Sequence, residues 1–517
     1  MKNTKLKFST IVYAFMALLV IQFVLLSIAN LFFIPYNLDC DSAKLMNHII
    51  KMWDHRTLAI PDWNYSTTLE WDCTSIFAIP IYAVTHNIYL SCGISNIILT
   101  ILFLIIIYSI VRDEMIFLVS ANIILIPFST GMLDYYNMMF FGGSQYLVKV
   151  MVPLLLVSIL LFLESDRKTT HFERFLVVLY FLLLLDTAMS SGIYVFAAGI
   201  AAIAMGYIIY KVLNVERISL KVIAIFSATI VLYVVGMIIN QKVLGGTRGE
   251  SMTLCPVFQI QANILSNFFG FFELFDGLTT EWYVKVISPQ GVLTILKFLF
   301  AVLLIIESVS SLLKICKRKC SLLRTLFTIM FFWTVLIMFT VKTQAGSATS
   351  EYRYYLVGTI PMIIVLAKDV IEYYRTEKEI LRQKIVSYAF CAIVAFLSFS
   401  SYYVFLTKED TAADLKEVVE YCKNADCDIV YMYEGSNDSD IMKVLDRDKE
   451  YICLLETGRT YAFDYYERYV LGGVDKANSI VLVNEEEFDF EDEFYILDMK
   501  LKKIDEVNNR AVYRFAN

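Results

Sequence analysis

The sequence has 517 residues, of which 58% are hydrophobic and 18% are charged. Soluble domains contain about half apolar and about a quarter charged residues, so this composition excludes an ordinary soluble enzyme. The hydrophobic residues form runs of about 18 residues or more, long enough to cross the ~30 Å hydrocarbon layer as helices. The sequence therefore predicts an α-helical polytopic membrane protein, and nothing in its charge indicates binding to nucleic acid.

Acidic residues are concentrated at the carboxyl-terminal end of the chain. From Thr407 onwards there are 14 Lys and Arg residues against 27 Asp and Glu residues, a balance of −13 within an overall net charge of −7. This change in composition predicts a membrane domain over residues 1–406. It also predicts a separate acidic domain over residues 407–517, which is large enough to have a small core.

The acidic domain is predicted to be of the α/β type. Apolar residues recur at helical spacing over Thr411–Asn424. The segments Asp428–Tyr433 and Ser479–Val483 have the composition of strands. Near the carboxyl terminus two apolar stretches flank Asn508-Asn509, a pair that favours a hairpin turn.

The hydrophobic segments of the membrane domain are predicted to form about eleven transmembrane helices. Lys2, Lys5 and Lys7 precede the first helix, and later basic clusters fall in alternate connections. The positive-inside rule therefore places the amino terminus in the cytoplasm. An odd number of spans then places the acidic domain outside the plasma membrane. The predicted spans lie at about residues 11–34, 94–111, 114–131, 145–163, 172–190, 191–211, 220–240, 291–313, 322–341, 354–374 and 384–406.

Two large outer loops are predicted, at about residues 35–93 and 241–290. Each contains a semi-apolar segment, Thr74–Leu90 in the first loop and Gln259–Phe275 in the second. Counting Thr74–Leu90 as a span would move the later basic clusters to the outer side, against the positive-inside rule. We therefore interpret Thr74–Leu90 as an interfacial or re-entrant segment and Gln259–Phe275 as an interfacial helix.

The first outer loop is the most distinctive stretch of the sequence. Leu38–Cys73 contains six acidic residues, two histidines and three tryptophans. Asp41 precedes an amphipathic pattern over Ser42–Trp53, which predicts a helix lying on the membrane. Two roles are open for Asp41, and Asp39 shares both. The carboxylate either caps the helix amino terminus, or acts as a base or a ligand of a divalent metal ion.

Other ionisable residues on the predicted outer side are candidates for the same site. Asp134 follows the third span and is either a solvated loop acid or a second carboxylate that shares a metal ion or orients an acceptor. Arg353, beside Tyr352, is either a snorkelling charge at a helix end or a bidentate phosphate ligand. Further candidates for substrate binding are Lys149, Arg248, Asp72 and Glu70.

Two further features of the outer side carry open alternatives. Asp186, at the outer end of the fifth predicted span, is an ionisable residue inside the membrane, where such groups are costly and often functional. Cys40 and Cys73 bracket the acidic stretch. A disulfide between them and two free buried thiols are both compatible with the sequence.

The order of these features resembles the GT-C superfamily of membrane glycosyltransferases. In that superfamily one span is followed by a large outer loop with an acidic motif, then by many spans and often by an outer domain. Asp41-Ser42-Ala43 stands where many members have Asp-Glu-Ala. The remaining similar segments are Pro61–Tyr65, Ile79–Tyr82, Asp134, and Tyr352-Arg353-Tyr354 with Pro361.

The resemblance implies transfer of a sugar from a polyprenyl-phosphate-linked donor to a cell-envelope glycan, lipid or protein. It also implies that Asp41 is the base and that Arg353 binds phosphate. The sequence alone leaves open an envelope polysaccharide polymerase or transporter, although a transporter is expected to show midplane charges and repeated halves. A non-catalytic membrane scaffold, whose acidic domain binds a partner, is the third alternative.

Overall fold

The computed structural model of the chain describes most of its residues. Contacts divide the chain into two compact units. The first comprises Met1–Ala29, Thr67–Thr74 and Asn96–Thr407, and the second comprises Asn30–Ser66, Ser75–Ser95 and Lys408–Asn517. The described residues are 2–60, 63, 65, 68–131, 134–165, 169–244, 253–278, 284–318, 321–342, 352–376, 380–461, 474, 476–488 and 491–516.

The chain is predominantly helical. Among the described residues, eight helices are long and apolar enough to cross a membrane. The α-helices are α1 (Lys2–Ile28), α2 (Cys40–His55), α3 (Thr74–Thr85), α4 (Ile88–Val111), α5 (Glu114–Ile124), α6 (Tyr135–Phe140), α7 (Leu147–Leu163), α8 (His171–Ser191), α9 (Ala201–Asn214), α10 (Leu220–Leu244), α11 (Ile260–Glu273), α12 (Pro289–Cys316), α13 (Leu322–Thr340), α14 (Leu356–Thr376), α15 (Ile380–Leu406), α16 (Ala413–Asn424) and α17 (Ser436–Leu445).

Each predicted span coincides with a helix. Three of these helices, α5, α7 and α8, are not among the eight that are long and apolar enough to cross a membrane. The prediction for α5 was too long, because the helix ends at Ile124 and not near residue 131. Pro127 explains this end, since it lacks an N–H and disfavours helical backbone at the residue before it.

The two semi-apolar segments are also helical. In the first loop α3 stops at Thr85, and His86 takes a left-handed backbone conformation (φ +52°) before α4 begins. Helix α4 therefore starts at Ile88, six residues before the predicted span. In the second loop α11 lies within the predicted interfacial stretch.

Strand β1 (Thr253–Leu254) pairs with β2 (Val341–Lys342) in the first unit. The second unit contains a seven-stranded mixed sheet, which confirms the α/β prediction for the carboxyl-terminal residues. Its strands are β3 (Ile429–Tyr433), β4 (Glu450–Leu454), β5 (Thr460–Tyr461), β6 (Ser479–Asn484), β7 (Glu493–Ile496), β8 (Met499–Val507) and β9 (Arg510–Phe515). Their order in the sheet is β5-β4-β3-β6-β9-β8-β7, and β3 runs parallel to both β4 and β6. Asn508 and Asn509 both have positive φ, as a tight hairpin turn between β8 and β9 requires.

Helix α2 is not the membrane-surface helix that its pattern predicted. Nine consecutive residues, from Ser42 to Ile50, are buried, so the helix is covered on more than one face. Within the second unit it packs against α17, and the Asn47 side-chain amide donates a 3.0 Å hydrogen bond to the Asp440 carbonyl. Helix α2 and the sheet domain therefore belong to one structural unit.

Candidate functional site

Asp72 is the centre of a buried polar cluster in the first unit. Its side chain has no exposed surface, and its carboxylate accepts hydrogen bonds from the hydroxyls of Ser190 (2.9 Å) and Ser191 (2.5 Å). Lys149 Nζ lies 3.3 Å from Asp72 Oδ1, and the lysine side chain is only 9% exposed. A buried carboxylate is thereby compensated by one cation and two hydroxyl donors, as burial of a charge requires.

The end of helix α8 holds this cluster in place. Its last residues, Ser190 and Ser191, precede Gly192, whose φ of +59° turns the chain out of the helix. The Ser190 hydroxyl also accepts a 2.9 Å hydrogen bond from the Trp71 N–H, and its carbonyl accepts one of 3.2 Å from the Leu69 N–H. The loop that carries Asp72 is therefore fastened to the helix end by both main chain and side chains.

Asp186 lies four residues, about one turn, before Ser190 on the same helix. Its Oδ1 atom is buried and has no hydrogen-bond partner among the described residues. Asp72 and Lys149 are both close enough to act on its charge. The cluster thus contains two carboxyl groups and one ammonium group.

Three tyrosines lie beside Lys149. The ring centroids of Tyr146 and Tyr194 are 5.8 Å apart, those of Tyr146 and Tyr354 are 6.0 Å apart, and those of Tyr194 and Tyr354 are 5.2 Å apart. Lys149 Nζ is 5.1 Å from the Tyr146 ring centre, and Arg353 Cζ is 5.6 Å from the Tyr354 ring centre. Both cations are within cation–π range of this tyrosine cluster.

Asp134 anchors the short 3-10 helix that carries Arg353. The hydroxyl of Tyr352, at the start of this turn (Tyr352–Tyr355), donates to one carboxylate oxygen of Asp134. The Gly131 N–H donates to the other oxygen at 2.6 Å. Asp134 also adds to the raised pKa of the Glu273 carboxyl, for which burial is the larger cause. The structure therefore gives Asp134 a positioning role next to Arg353.

A small apolar groove, with a cavity volume of about 40 Å³, begins at the tyrosine cluster. Tyr194 and Tyr354 belong to the tyrosine cluster and also line the groove. The groove and the two cations, Lys149 and Arg353, therefore meet at this cluster. A π-helix, Phe196–Ile200, forms one wall, and its Ala197 carbonyl accepts a 2.7 Å hydrogen bond from the Trp333 indole N–H of α13. The other lining residues are Ile193, Ala197, Ala198, Thr334, Ile337, Met338 and Val341.

Two predicted acids of the first loop, Asp39 and Asp41, lie in the second unit. Asp39, not Asp41, is the N-cap of α2: its carboxylate accepts from the Ser42 N–H at 2.8 Å and from the Ser42 hydroxyl at 3.1 Å. Burial raises the pKa of Asp39 to about 6, and the charge of Asp41 contributes to this rise. Asp41 lies in the first helical turn, so the capping role that was open for it belongs to its neighbour.

Histidine 48 belongs to the core of the second unit. Its ring stacks on Trp63 with 4.6 Å between centroids, and Nε2 lies 3.3 Å from the Tyr65 hydroxyl. Burial, together with the charge of Lys44, lowers the pKa of His48 to about 3, so the ring is neutral at pH 7.

Glu70 borders the Asp72 cluster through its backbone: its N–H donates a 3.1 Å hydrogen bond to the Thr68 hydroxyl, which lies 3.1 Å from the Ser190 hydroxyl. Cys40 and Cys73 are not joined by a disulfide. The backbone of Glu70 is left-handed (φ +56°), and its carbonyl accepts a 2.9 Å hydrogen bond from the Cys73 thiol. Arg248 and three residues of the Pro61–Tyr65 motif (61, 62 and 64) lie outside the described residues.

The predicted metal ligands Asp41 and Asp134 lie in different units. Among the described residues, no group of three or more His, Cys, Asp or Glu side chains could hold a metal ion. The two oxygens of Asp134 already accept hydrogen bonds from Tyr352 and Gly131. In its own unit Asp134 is thus occupied as a hydrogen-bond acceptor, and a divalent metal ion bound by Asp41 and Asp134 stays a prediction.

Comparison with solved structures identifies the architecture. The crystal structure of ArnT from Cupriavidus metallidurans bound to undecaprenyl phosphate has a TM-score of 0.56 and 10% sequence identity, with coverage of 96% of this chain and 97% of that chain. The chain has the fold of ArnT. The apo crystal structure of ArnT from the same organism gives a TM-score of 0.55 and 11% identity, with 98% of each chain covered.

The likeness to ArnT confirms the predicted GT-C-like fold of a multi-pass membrane protein, and at such identities it shows the fold alone. No protein-family model and no curated protein sequence matches the chain. Site residues must therefore be argued from the geometry of this chain. Sequence reasoning named Lys149, Asp72 and Arg353 singly, but it missed Ser190 and Ser191, whose only signal was a polar Ser-Ser-Gly end to an apolar helix.

Proposed function

We propose that the protein is a membrane glycosyltransferase that transfers a sugar from a polyprenyl-phosphate-linked donor to a cell-envelope acceptor on the outer face of the plasma membrane. The observation that carries this proposal is the shared border between two cations and an apolar groove at the tyrosine cluster. A polyprenyl phosphate has a matching division into an anionic head and a long apolar chain. ArnT, whose fold the chain shares, has been crystallised with undecaprenyl phosphate.

In this proposal Arg353 and Lys149 bind the phosphate oxygens. A guanidinium can bind two phosphate oxygens at once, and an ammonium acts as a point charge beside them. Lys149 is compensated by Asp72 when no phosphate is bound, which lowers the cost of burying its charge. Arg353 is half-buried on a turn fixed by Asp134 and Tyr352, and its guanidinium carbon lies 5.6 Å from the Tyr354 ring centre, so its freedom is restricted before the donor arrives.

The chemistry follows from the charges. A hydroxyl of the acceptor attacks the anomeric carbon of the donor sugar, and the bond from that carbon to the phosphate oxygen breaks. The electron pair stays on the leaving lipid phosphate, where Arg353 and Lys149 stabilise the developing negative charge. The hydroxyl proton passes to a carboxylate, for which we propose Asp41, because the carboxylate of Asp39 is engaged by Ser42 as the helix cap.

Binding of undecaprenyl phosphate tests the phosphate site directly. Replacing Arg353 by Met keeps the length of the side chain but removes its charge, so we expect undecaprenyl phosphate to bind at least about tenfold more weakly in nanodiscs. Lys221→Met is the matched control, since Lys221 is an exposed cation at the start of α10. Equal affinity in wild type and Arg353→Met would remove the phosphate site from the proposal.

Transfer itself is tested with Asp41→Asn in cells. Envelope glycans, lipids and glycoproteins from this variant are compared by mass spectrometry with those of the wild type and of a deletion strain. We expect the Asp41→Asn profile to match the deletion strain at normal protein levels. A wild-type profile would contradict catalysis by Asp41, and a deletion profile identical to wild type would favour a non-catalytic scaffold.

A further inference from the structure

We infer that the carboxyl-terminal α/β domain is a positioning element for the acidic segment Leu38–Asp41, through Thr411, Lys416 and the contact between Asn47 and Asp440. This inference rests on the proposed function, because it assigns the domain a role in presenting the acid that accepts the proton. All of the residues concerned belong to the second unit. The sequence alone left the role of this domain open.

Lys416 of α16 holds the chain just before the acidic segment. Its Nζ donates a 2.8 Å hydrogen bond to the Pro35 carbonyl and lies 4.9 Å from the ring centre of Tyr36. Asp410 fixes the lysine from the other side, with 2.5 Å between Lys416 Nζ and Asp410 Oδ2. One side chain of the domain thereby binds both the backbone and the aromatic ring of the first-loop segment.

Thr411 continues this contact to the residue next to Asp39. Its N–H donates to the Tyr36 carbonyl at 3.0 Å, and its hydroxyl donates to the Leu38 carbonyl at 3.0 Å. Because Leu38 directly precedes the helix cap, a shift of Thr411 moves the backbone that orients Asp39 and the first turn of α2. Two of the three carbonyls from residue 36 to residue 38 are bound by this one threonine.

The helix that follows the segment, α2, is held by α17. Asn47, two turns into α2, donates to the Asp440 carbonyl, and α2 packs along α17. The charge of Asp440 also reaches Cys40, where it acts together with Asp39 and Asp41 to raise the pKa of the thiol to about 12, although burial is the main cause. The acids are therefore held from both sides by the same domain.

Charged groups from two elements of the domain surround the segment. Asp440 comes from α17, and Lys416 with its partner Asp410 comes from α16 and the turn before it. On α2 itself the neighbours are Asp41 and Ser42 for Asp39, and Lys44 one turn further on. Moving the domain would change this local field as well as the position of the carboxylates.

The double variant Thr411→Val/Lys416→Met removes the side-chain contacts of both residues with the first-loop segment. It keeps the hydrogen bond from the Thr411 N–H to the Tyr36 carbonyl and leaves Asp39 and Asp41 in place. The full-length protein in proteoliposomes is given the polyprenyl-phosphate fraction and the envelope fraction extracted from a deletion strain, and release of the free carrier phosphate is measured. A misplacement of about 1 Å can lower a rate about 10²-fold, so we expect kcat to fall by about this factor. Affinity for undecaprenyl phosphate is expected to stay within about twofold.

Lys423→Met is the control, because Lys423 lies on the same helix, is 44% exposed and contacts only Glu420 among the described ion pairs. Asn47→Ala perturbs the segment from its other end, so a folding defect of one variant does not decide the result. Its expected effect is again on kcat. If the electrostatic field around Asp39 changes, the acidic limb of the plot of kcat against pH is expected to shift together with the fall in kcat.

The outcomes separate this inference from the proposed function. If Asp41→Asn abolishes carrier release while Thr411→Val/Lys416→Met and Asn47→Ala keep the wild-type kcat, the positioning role is wrong and the transferase proposal stands. If Asp41→Asn has wild-type activity, the proton-accepting role fails first. A loss of undecaprenyl phosphate binding at unchanged kcat would also overturn the positioning role, because it would place the effect of the domain on the donor.

Discussion

The buried pair of Asp72 and Lys149 makes the sharpest energetic prediction. Asp72 has no exposed side-chain surface and Lys149 is 9% exposed, with 3.3 Å between the charged atoms. Removing one partner of a buried pair leaves the other charge uncompensated, which typically costs about 3–5 kcal/mol. Asp72→Asn keeps the size of the side chain and still offers an acceptor to Ser190 or Ser191, so we expect the lower end of this range, about 3 kcal/mol.

The assay is a double-mutant cycle. Free energies of unfolding of the purified protein are measured by SDS titration in mixed micelles for the wild type, Asp72→Asn, Lys149→Met and the double variant. Because the double variant leaves neither Asp72 nor Lys149 without its partner, it is expected to be at least about 1 kcal/mol more stable than the sum of the single effects predicts. Asp276→Asn is the matched control: its partner Lys297 is 2.8 Å away, but Asp276 is 53% exposed, so the expected cost is about 1 kcal/mol or less.

Additive effects would refute the reasoning. If the single changes sum to the double change within about 0.5 kcal/mol, the two residues do not interact energetically. Equal losses in the free energy of unfolding for Asp72→Asn and Asp276→Asn would likewise show that burial does not strengthen the interaction between Asp72 and Lys149.

Two further outcomes follow from the second unit. Gly93→Ala is expected to destabilise it by about 1–3 kcal/mol, because an added Cβ at Gly93 collides with the Asn30 carbonyl; a wild-type melting temperature would contradict this close approach. The pKa of Asp39 is raised from 3.8 to about 6, so the folded state holds this proton more tightly than the unfolded state. Its contribution to stability is therefore complete below the unfolded pKa and is lost as the pH rises through about 6. Asp39→Asn retains a capping side chain, so the variant is expected to lose this part of the pH slope between pH 4 and 7 in thermal melts, and an unchanged slope would count against the raised pKa.

Hydrophobic run length was sufficient to predict the helical architecture, because the hydrocarbon layer imposes length and composition together. The position of α5 was predicted but not its end, although Pro127 was visible in the sequence. The error came from counting apolar residues beyond a proline as helix. The π-helix at Phe196–Ile200 had no comparable signal, since its residues are ordinary apolar ones.

The candidate site was predictable only as separate residues. Asp72 and Lys149 are 77 positions apart, and no periodicity connects a loop acid to a lysine inside a helix. The burial of α2 was missed for a related reason: an amphipathic pattern indicates that one face needs an apolar partner, but not whether that partner is lipid or protein. Here the partner is α17, some 390 residues further along the chain.

The π-helix has a consequence for how the groove can change. A π-turn contains one residue more than an α-turn, and one residue rotates the following helix by about 100° about its axis. Removing a single residue between Gly192 and Ala201 would turn a different side of α9 towards α13 and reshape the wall that Ala197 and Ala198 form. The shape of this groove therefore depends on the length of the segment as well as on its side chains, so deletion of a single residue there would alter it.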